Sequence, residues 1–331
     1  MAYDPTLAGL IARADGDWGN PDDNVEGLVF YGIKHVDHAL FGIDFRNGEL
    51  IGIQATEKQR KSTMLANVVY NVASHNRFWI CVDTLESGVP PMAYRDILIS
   101  MAATRRLIAR AYTGNRATWP DVHTIFAHPD LQSELCICKE FLWYSRRSAK
   151  QLHAIEWAKS HLSEMPIVIF GPRQEEGAAK NIAVTIDRWN RLYNGEYPTA
   201  KGKFVRLFCS DHVQQYEGWP GEDYRKLETV TDHFANFVTS HPGSVVIAVS
   251  QVSVTSARLA RQGLGKARAK GGAKLGAEVN VLFETSYDKD SSPYQMAIEV
   301  PETRRRPPPK VIQEIDPSSG AFLRPAYRSY K

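Results

Sequence analysis

At 331 residues, 43% hydrophobic and 23% charged, the chain has the make-up of a soluble globular protein, with length for one large domain or two of ordinary size. No apolar run reaches the ~18 residues a membrane helix needs, and MAYDPTLAGL lacks the basic and apolar parts of a signal peptide, so a cytoplasmic protein with no membrane partner is expected. Two of the four cysteines, Cys81 and Cys209, lie in apolar runs, which argues against a disulfide framework, and a net charge of +3 is too small to imply a nucleic-acid partner by itself.

Asp4 to Ala14 is expected to form a short helix, with Asp4 as N-cap and Pro5 at the first helical position. A Gly/Asp/Asn/Pro linker, ADGDWGNPDDNVE, follows, which divides the chain into an N-terminal helix and linker over residues 1–27 and a main domain over 28–331. No internal repeat is visible.

Residues Asn47 to Ala73, NGELIGIQATEKQRKSTMLANVVYNVA, then read as a buried strand, a polar turn and an amphipathic helix, with a Lys-Ser pair where turn meets helix. This is the layout of a phosphate-binding loop, G-x-x-x-x-G-K-[ST], in which backbone N–H groups close round phosphates, the lysine neutralises them and the hydroxyl holds Mg²⁺. Lys61, Ser62 and Thr63 fall in the right place, but Ala55 and Arg60 stand at the two glycine positions. Arg60 either obstructs the close approach that glycine permits or adds a positive charge beside the phosphates. The plain structural alternative is a lysine-capped surface turn ahead of an ordinary helix.

Arg77 to Asp83 (RFWICVD) is a second apolar run, followed by Thr84, Leu85 and Glu86, and Met92 to Ala111 is a long helix. Tyr112 to Ser163 reads as mostly helical; within it Cys136-Ile-Cys138, with His123 and His128 upstream, has poor spacing for zinc. Pro166–Phe170 is a strand and Gly177–Tyr193 a helix. Phe204–Ser210 is a strand running into Asp211, Tyr224–Ser240 a helix, and Ser244–Ser250 a strand running into Gln251. Val279–Thr285, Ala297–Pro301 and Val311–Ile315 complete the strands. Short apolar strands alternating with helices predict an α/β fold with a mostly parallel central sheet covered by helices on both faces. Ligands of such sheets sit at the carboxyl ends of the strands, where Lys61, Glu86, Asp211 and Gln251 all fall. That shared position favours a nucleotide site.

The order of these pieces resembles the RecA-like ATPase domain of the DnaB family of ring-forming replicative helicases, over roughly residues 28–325. The resemblance rests on GELIGIQATEKQRKST, WICVDTLES, SEMPIVIFG, RLFCSDHVQQY, VVIAVSQVS and VNVLFETSYD followed by AIEVPETRRRP. It implies a P-loop NTPase core that uses ATP and Mg²⁺. By position, Lys61 would contact the β- and γ-phosphates, Ser62 would hold the metal with Asp211, and Glu86 would be the base that orients the attacking water. Gln251 would sense the γ-phosphate, and Arg304 would be an arginine finger inserted into the neighbouring subunit's site, with Glu302 replacing a nearby family lysine. Each has a structural rival: Glu86 a helix N-terminal acid, Asp211 a strand-end cap, Gln251 a satisfied polar residue, Arg304 part of a solvated turn.

Thr255 to Ala277 carries Arg258, Arg261, Lys266, Arg268, Lys270 and Lys274 among five glycines with no acid. It is expected as a mobile loop that tracks single-stranded phosphates, or as a merely solvated basic loop. In QQYEGWPGEDYR, Tyr216 or Trp219 is a weaker candidate for stacking on a base. The resemblance implies an ATP-driven helicase on single-stranded DNA, a homo-oligomeric ring of hexamer type, and replication proteins as partners. With little chain ahead of residue 28, a minimal form is expected. The missing glycines keep open a ring that binds nucleotide, DNA or a protein without unwinding; a strand-exchange or clock-type ATPase is a third reading.

Overall fold

The computed structural model describes residues 28–29, 31–40, 42–75, 78–85, 91–112, 133–139, 142, 147–171, 181–198, 201–217, 223–252, 273–304 and 310–322. The expected helix at residues 4–14 and its linker lie outside them, as do Glu86, the basic residues from Arg258 to Lys270, and Trp219.

Strands β1 (Leu28–Val29) and β2 (Ile43–Asp44) pair antiparallel on either side of helix α1 (Lys34–Leu40). The turn into α1 is closed by Asp37, whose buried carboxylate accepts the N–H groups of Tyr31, Gly32 and Ile33 at 2.6, 3.0 and 2.7 Å. Burial still pushes this carboxyl up to about 7, against the pull of those three donors.

The chain continues through β3 (Glu49–Ala55), α2 (Lys61–Ser74), β4 (Trp79–Thr84), α3 (Pro91–Tyr112), α4 (Ala149–Ser163), β5 (Ile167–Phe170) and α5 (Ile182–Tyr193). It then forms β6 (Val205–Asp211), α6 (Asp223–Ser240), β7 (Val245–Gln251), α7 (Ala273–Glu278), β8 (Val281–Tyr287), β9 (Gln295–Thr303) and β10 (Val311–Glu314). Eight strands make one sheet in the order β10-β9-β8-β3-β7-β6-β4-β5. The six from β8 to β5 are parallel, β9 pairs antiparallel with β8 and β10 antiparallel with β9, so the expected mostly parallel α/β sheet is the observed one.

The period-two alternation of strands divides the core between two faces. Ile51 and Ile53 of β3, with Val245, Ile247 and Val249 of β7, meet Met64, Leu65 and Val68 of α2 and Leu98 of α3. Leu50, Val246 and Phe208 point the other way, against Trp189 of α5 and Phe234 of α6. Gly52 faces this second side, where an added Cβ would lie 2.5 Å from Leu282. Helices α3 and α4 pack on each other outside the sheet through Ala102, Ala103, Ile155 and Ala158.

One expectation fails at an edge. The glycine-rich basic composition predicts loop through Ala277, but Ala273–Glu278 is helix α7, which includes Lys274. Leu275 and Val279 are buried against the second face of the sheet, and this apolar anchor overrides the flexible composition. Val279 closes the helix by donating to the Leu275 carbonyl at 3.0 Å, so β8 starts at Val281. Among the described residues, no helix is long and apolar enough to cross a membrane.

Candidate functional site

The carboxyl ends of β3, β7, β6 and β4 line up along one edge, because register pairs Ala55 with Gln251, Val249 with Asp211, and Asp211 with Thr84. Strand β3 leaves this edge toward β4, beyond β7 and β6, while β7 leads on to β8 on the opposite side of β3. The chain therefore diverges here, which opens a crevice at the strand ends.

The loop between β3 and α2 enters that crevice. Ala55 is the last residue of the extended strand β3, and its carbonyl accepts the Val252 N–H at 2.8 Å. A side chain is tolerated there because the backbone is ordinary strand. Lys58 and Arg60 both have positive φ, 61° and 63°, so the second glycine position keeps a left-handed conformation without glycine. That conformation costs a non-glycine residue on the order of 1–2 kcal/mol.

The side chain of Arg60 supplies the compensation. Its guanidinium donates to the Pro317 carbonyl at 2.8 Å and lies 4.7 Å from the centre of the Tyr287 ring. A charged hydrogen bond contributes about 1.5–3 kcal/mol and a cation–π contact about 0.5–2 kcal/mol, enough to offset the strain. Neighbouring Gln59 is held as well, its carbonyl accepting from Thr285 Oγ1 at 2.8 Å and its side-chain oxygen from the Tyr287 N–H. The expected alternatives for Arg60, an obstruction or an extra charge at the phosphates, meet a third arrangement in which the guanidinium is engaged by β8 and the segment after β10.

Helix α2 begins with no side-chain cap and no acid in its first turn, so no carboxylate of its own first turn competes for its amino end. Lys61 is buried, and its ammonium folds back to the Thr56 carbonyl at 3.3 Å, across the loop it would share with an anion. Ser62 and Thr63 are half-buried in the same turn.

Asp211 ends β6 and is 6% exposed. Its carbonyl accepts the Leu85 N–H at 3.2 Å, which ties the end of β4 to it immediately before Glu86. His212 follows in a left-handed conformation, φ 68°, with Nδ1 3.5 Å from the Asp211 carboxylate. Gln214 then turns back, and its amide donates to Ser250 Oγ at 2.7 Å and to the Gln251 carbonyl at 3.0 Å. Gln251, half-buried, is thus joined to the β6 side through Gln214 and, at the next residue, to the end of β3. The sequence singled out neither His212 nor Gln214.

A donor set of one carboxylate and one hydroxyl would suit Mg²⁺, which keeps several waters and takes its remaining ligands from phosphate rather than from an all-protein cage. Among the described residues no group of three His, Cys, Asp or Glu could hold a metal alone, so Ser62 and Asp211 would act together with a phosphate.

Asn67, one turn beyond Thr63 on α2, was also missed. Its amide donates to the Thr63 and Gly320 carbonyls at 2.8 and 2.9 Å, and its oxygen accepts from Arg105 of α3 at 2.7 Å and from the Phe322 N–H at 2.9 Å. The segment 316–322 is therefore bolted across the start of α2. A lone asparagine on the apolar face of the helix was the signal that could have revealed it.

Arg304 lies elsewhere. It is exposed just after β9, its N–H donating to the Asn280 carbonyl at 3.0 Å. Thr303 pairs with Val281 and Val281 with Ile51, near the amino end of β3. Four residues of β3, about 13 Å of strand rise, separate that level from Ala55. Arg304 and Lys61 occupy opposite edges of the same sheet.

Tyr216 does not have the role expected for it. It is fully buried, its hydroxyl 3.1 Å from Ser210 Oγ and its ring packed on Phe234, so it offers no face to a base. The apolar second face of the sheet captures it.

No family model matches the sequence, and no curated protein matches it. Solved structures do match. The fold is similar to that of a solved ATPase domain, with a TM-score of 0.70 at 15% identity over 97% of this chain and 99% of that one. It is similar to a DnaB-like replicative helicase solved in a study of its interactions with primase, with a TM-score of 0.68 at 14% identity, covering 97% of this chain and 67% of that one. A KaiC-like protein from Pyrococcus horikoshii OT3 aligns over 88% of this chain and 96% of its own, with a TM-score of 0.50 at 12% identity. The expected resemblance holds at the level of fold: this chain has the RecA-like α/β fold seen in the ATPase domains of DnaB-like helicases.

Proposed function

We propose that the chain is a ring-forming ATPase that moves on single-stranded DNA and unwinds duplex, with residues 28–331 as its motor domain and the N-terminal helix docking on a neighbouring copy. The observation that carries this reading is the convergence of a left-handed phosphate loop, Lys61, Asp211 and Gln251 on one sheet edge, with Arg304 on the opposite edge. An arginine so distant from its own loop reaches a phosphate only in a second copy, which is what a ring of identical subunits provides.

Bound MgATP would supply the phosphoryl group and the metal charge that stabilises its transfer. Lys61 would neutralise the phosphates, Ser62 and Asp211 would hold the metal, and Thr63 completes the first turn. Glu86 takes the proton from the attacking water. Gln251 reports the state of the site to the basic loop that follows it in sequence, where Arg258, Arg261, Lys266, Arg268, Lys270 and Lys274 neutralise the phosphates of the strand.

Steady-state ATP hydrolysis with and without single-stranded DNA, in the wild type and Glu86→Gln, tests this. DNA-stimulated turnover lost in Glu86→Gln, together with unwinding of a forked duplex, is expected. Nucleotide binding and ring assembly without turnover in the wild type would replace the motor with a static nucleotide-binding ring.

A further inference from the structure

Arg60 stands where a phosphate loop ordinarily has glycine, yet the backbone there is the one glycine would adopt. Two independent anchors hold its side chain, and both belong to segments remote in sequence. Tyr287 is at the end of β8, and Pro317 is in the turn after β10.

Neither anchor is loose. Tyr287 is fixed by the Gln59 side chain at its N–H and by its own hydroxyl, which donates to the Pro293 carbonyl at 3.0 Å. The turn holding Pro317 is closed by the buried Asp316, whose carboxylate accepts the N–H groups of Ser318 and Ser319 at 3.1 and 2.8 Å. Asn67 ties the far end of that turn to α2, and Gly320 packs so closely that an added Cβ would lie 2.7 Å from Thr63. The guanidinium therefore reaches from the loop to two rigid supports.

We propose that Arg60 is a positioning residue that holds the phosphate loop in its anion-accepting form before any ligand arrives. Glycine permits that form; Arg60 enforces it. The arginine acts through the loop backbone, without touching the phosphates. Restoring the consensus glycine should therefore loosen the loop and weaken binding, the reverse of what the motif alone suggests. This inference rests on the phosphate-loop reading above, and it makes the segment 316–322 a working wall of that site.

The test uses the full chain without nucleotide. Hydrogen–deuterium exchange over residues 56–61 is compared in the wild type, Arg60→Gly, Arg60→Lys and Tyr287→Ala, alongside equilibrium binding of a fluorescent ADP with Mg²⁺. The latch predicts at least about tenfold faster loop exchange and about tenfold weaker ADP binding in Arg60→Gly, with the global melting transition unmoved. Arg60→Lys, which keeps a cation near both anchors, should recover part of each effect, and Tyr287→Ala should show part of the loss. Unchanged loop exchange in Arg60→Gly, or tighter ADP binding, would overturn the proposal. Lys61→Ala keeps the two ideas separable: equal ADP binding by Lys61→Ala and wild type sinks the nucleotide site, whereas the exchange measurement judges the latch with no nucleotide present.

Discussion

Two carboxylates end neighbouring strands of the same sheet and have opposite environments. Asp83 of β4 pairs in register with Ser210, and Asp211 of β6 with Thr84, so the two acids are one residue out of step and face opposite sides. Asp83 points toward α5, where Arg188 and the Trp189 indole, at 2.7 Å, close over it. Burial pushes its carboxyl up, and Arg188 and Trp189 pull it back down. Asp211 points to the other face, at the last residue of β6, with the His212 ring 3.5 Å from its carboxylate. An acid sealed by an internal cation is spent on the fold. The acid at the end of β6 is the one that the proposed nucleotide site would use.

Breaking each acid separately gives the largest contrast. Arg188→Ala leaves Asp83 as a buried, uncompensated charge and should cost about 3–5 kcal/mol, read as a shift in the urea midpoint. Asp211→Ala should alter stability by no more than about 1 kcal/mol, while abolishing Mg²⁺-dependent turnover. Equal stability losses would erase the distinction.

A third acid sharpens the comparison, since Asp37 is buried and satisfied by three backbone N–H groups instead of a guanidinium. Its carboxyl titrates at about 7 in the fold against an ordinary 3.8. A raised carboxyl makes the folded state the better proton binder between those values. Its contribution is therefore most favourable below about pH 4 and falls as pH rises to about 7, by up to about 4 kcal/mol if no other group compensates. Asp37→Asn removes the titration. The stability difference between wild type and variant should slope across that window and be flat above it, measured by denaturant titration at each pH.

A smaller effect is expected at the wall of the proposed phosphate loop. Gly320 has φ 76° and its place is filled by Thr63, so Gly320→Ala should cost about 1–3 kcal/mol by backbone strain and displacement of the 316–322 segment. Nucleotide affinity should fall with it, because that segment carries the carbonyl that Arg60 uses.

The sheet was legible in the sequence because its strands are short continuous apolar runs, the signature of burial on both faces, and because several end in a polar residue at the same edge. Lys61, Asp211 and Gln251 could be assigned to one edge for that reason alone. Contacts across long sequence separations were not legible. Nothing local to Arg60 announces Pro317 or Tyr287, and the missing glycine reads as a defect although the backbone keeps the glycine conformation. Tyr216 reads as a surface aromatic because its acidic neighbours dominate the stretch, whereas its burial is decided by α6. Helix α7 is hidden by its glycines and lysines, with only Leu275 and Val279 marking the buried side. Asp83 and Asp211 look alike as strand-end acids, and only the register separates them.

The claim that the site is shared between copies is tested most directly by mixing subunits. Lys61→Ala and Arg304→Ala chains are each purified, assayed alone for ATP hydrolysis, where both should be inactive, then combined at varying ratios and assayed again. A composite site predicts that hydrolysis reappears on mixing, because some interfaces then join an intact Lys61 to an intact Arg304. Full activity of Arg304→Ala alone, or no recovery at any ratio despite confirmed subunit exchange, would contradict the account.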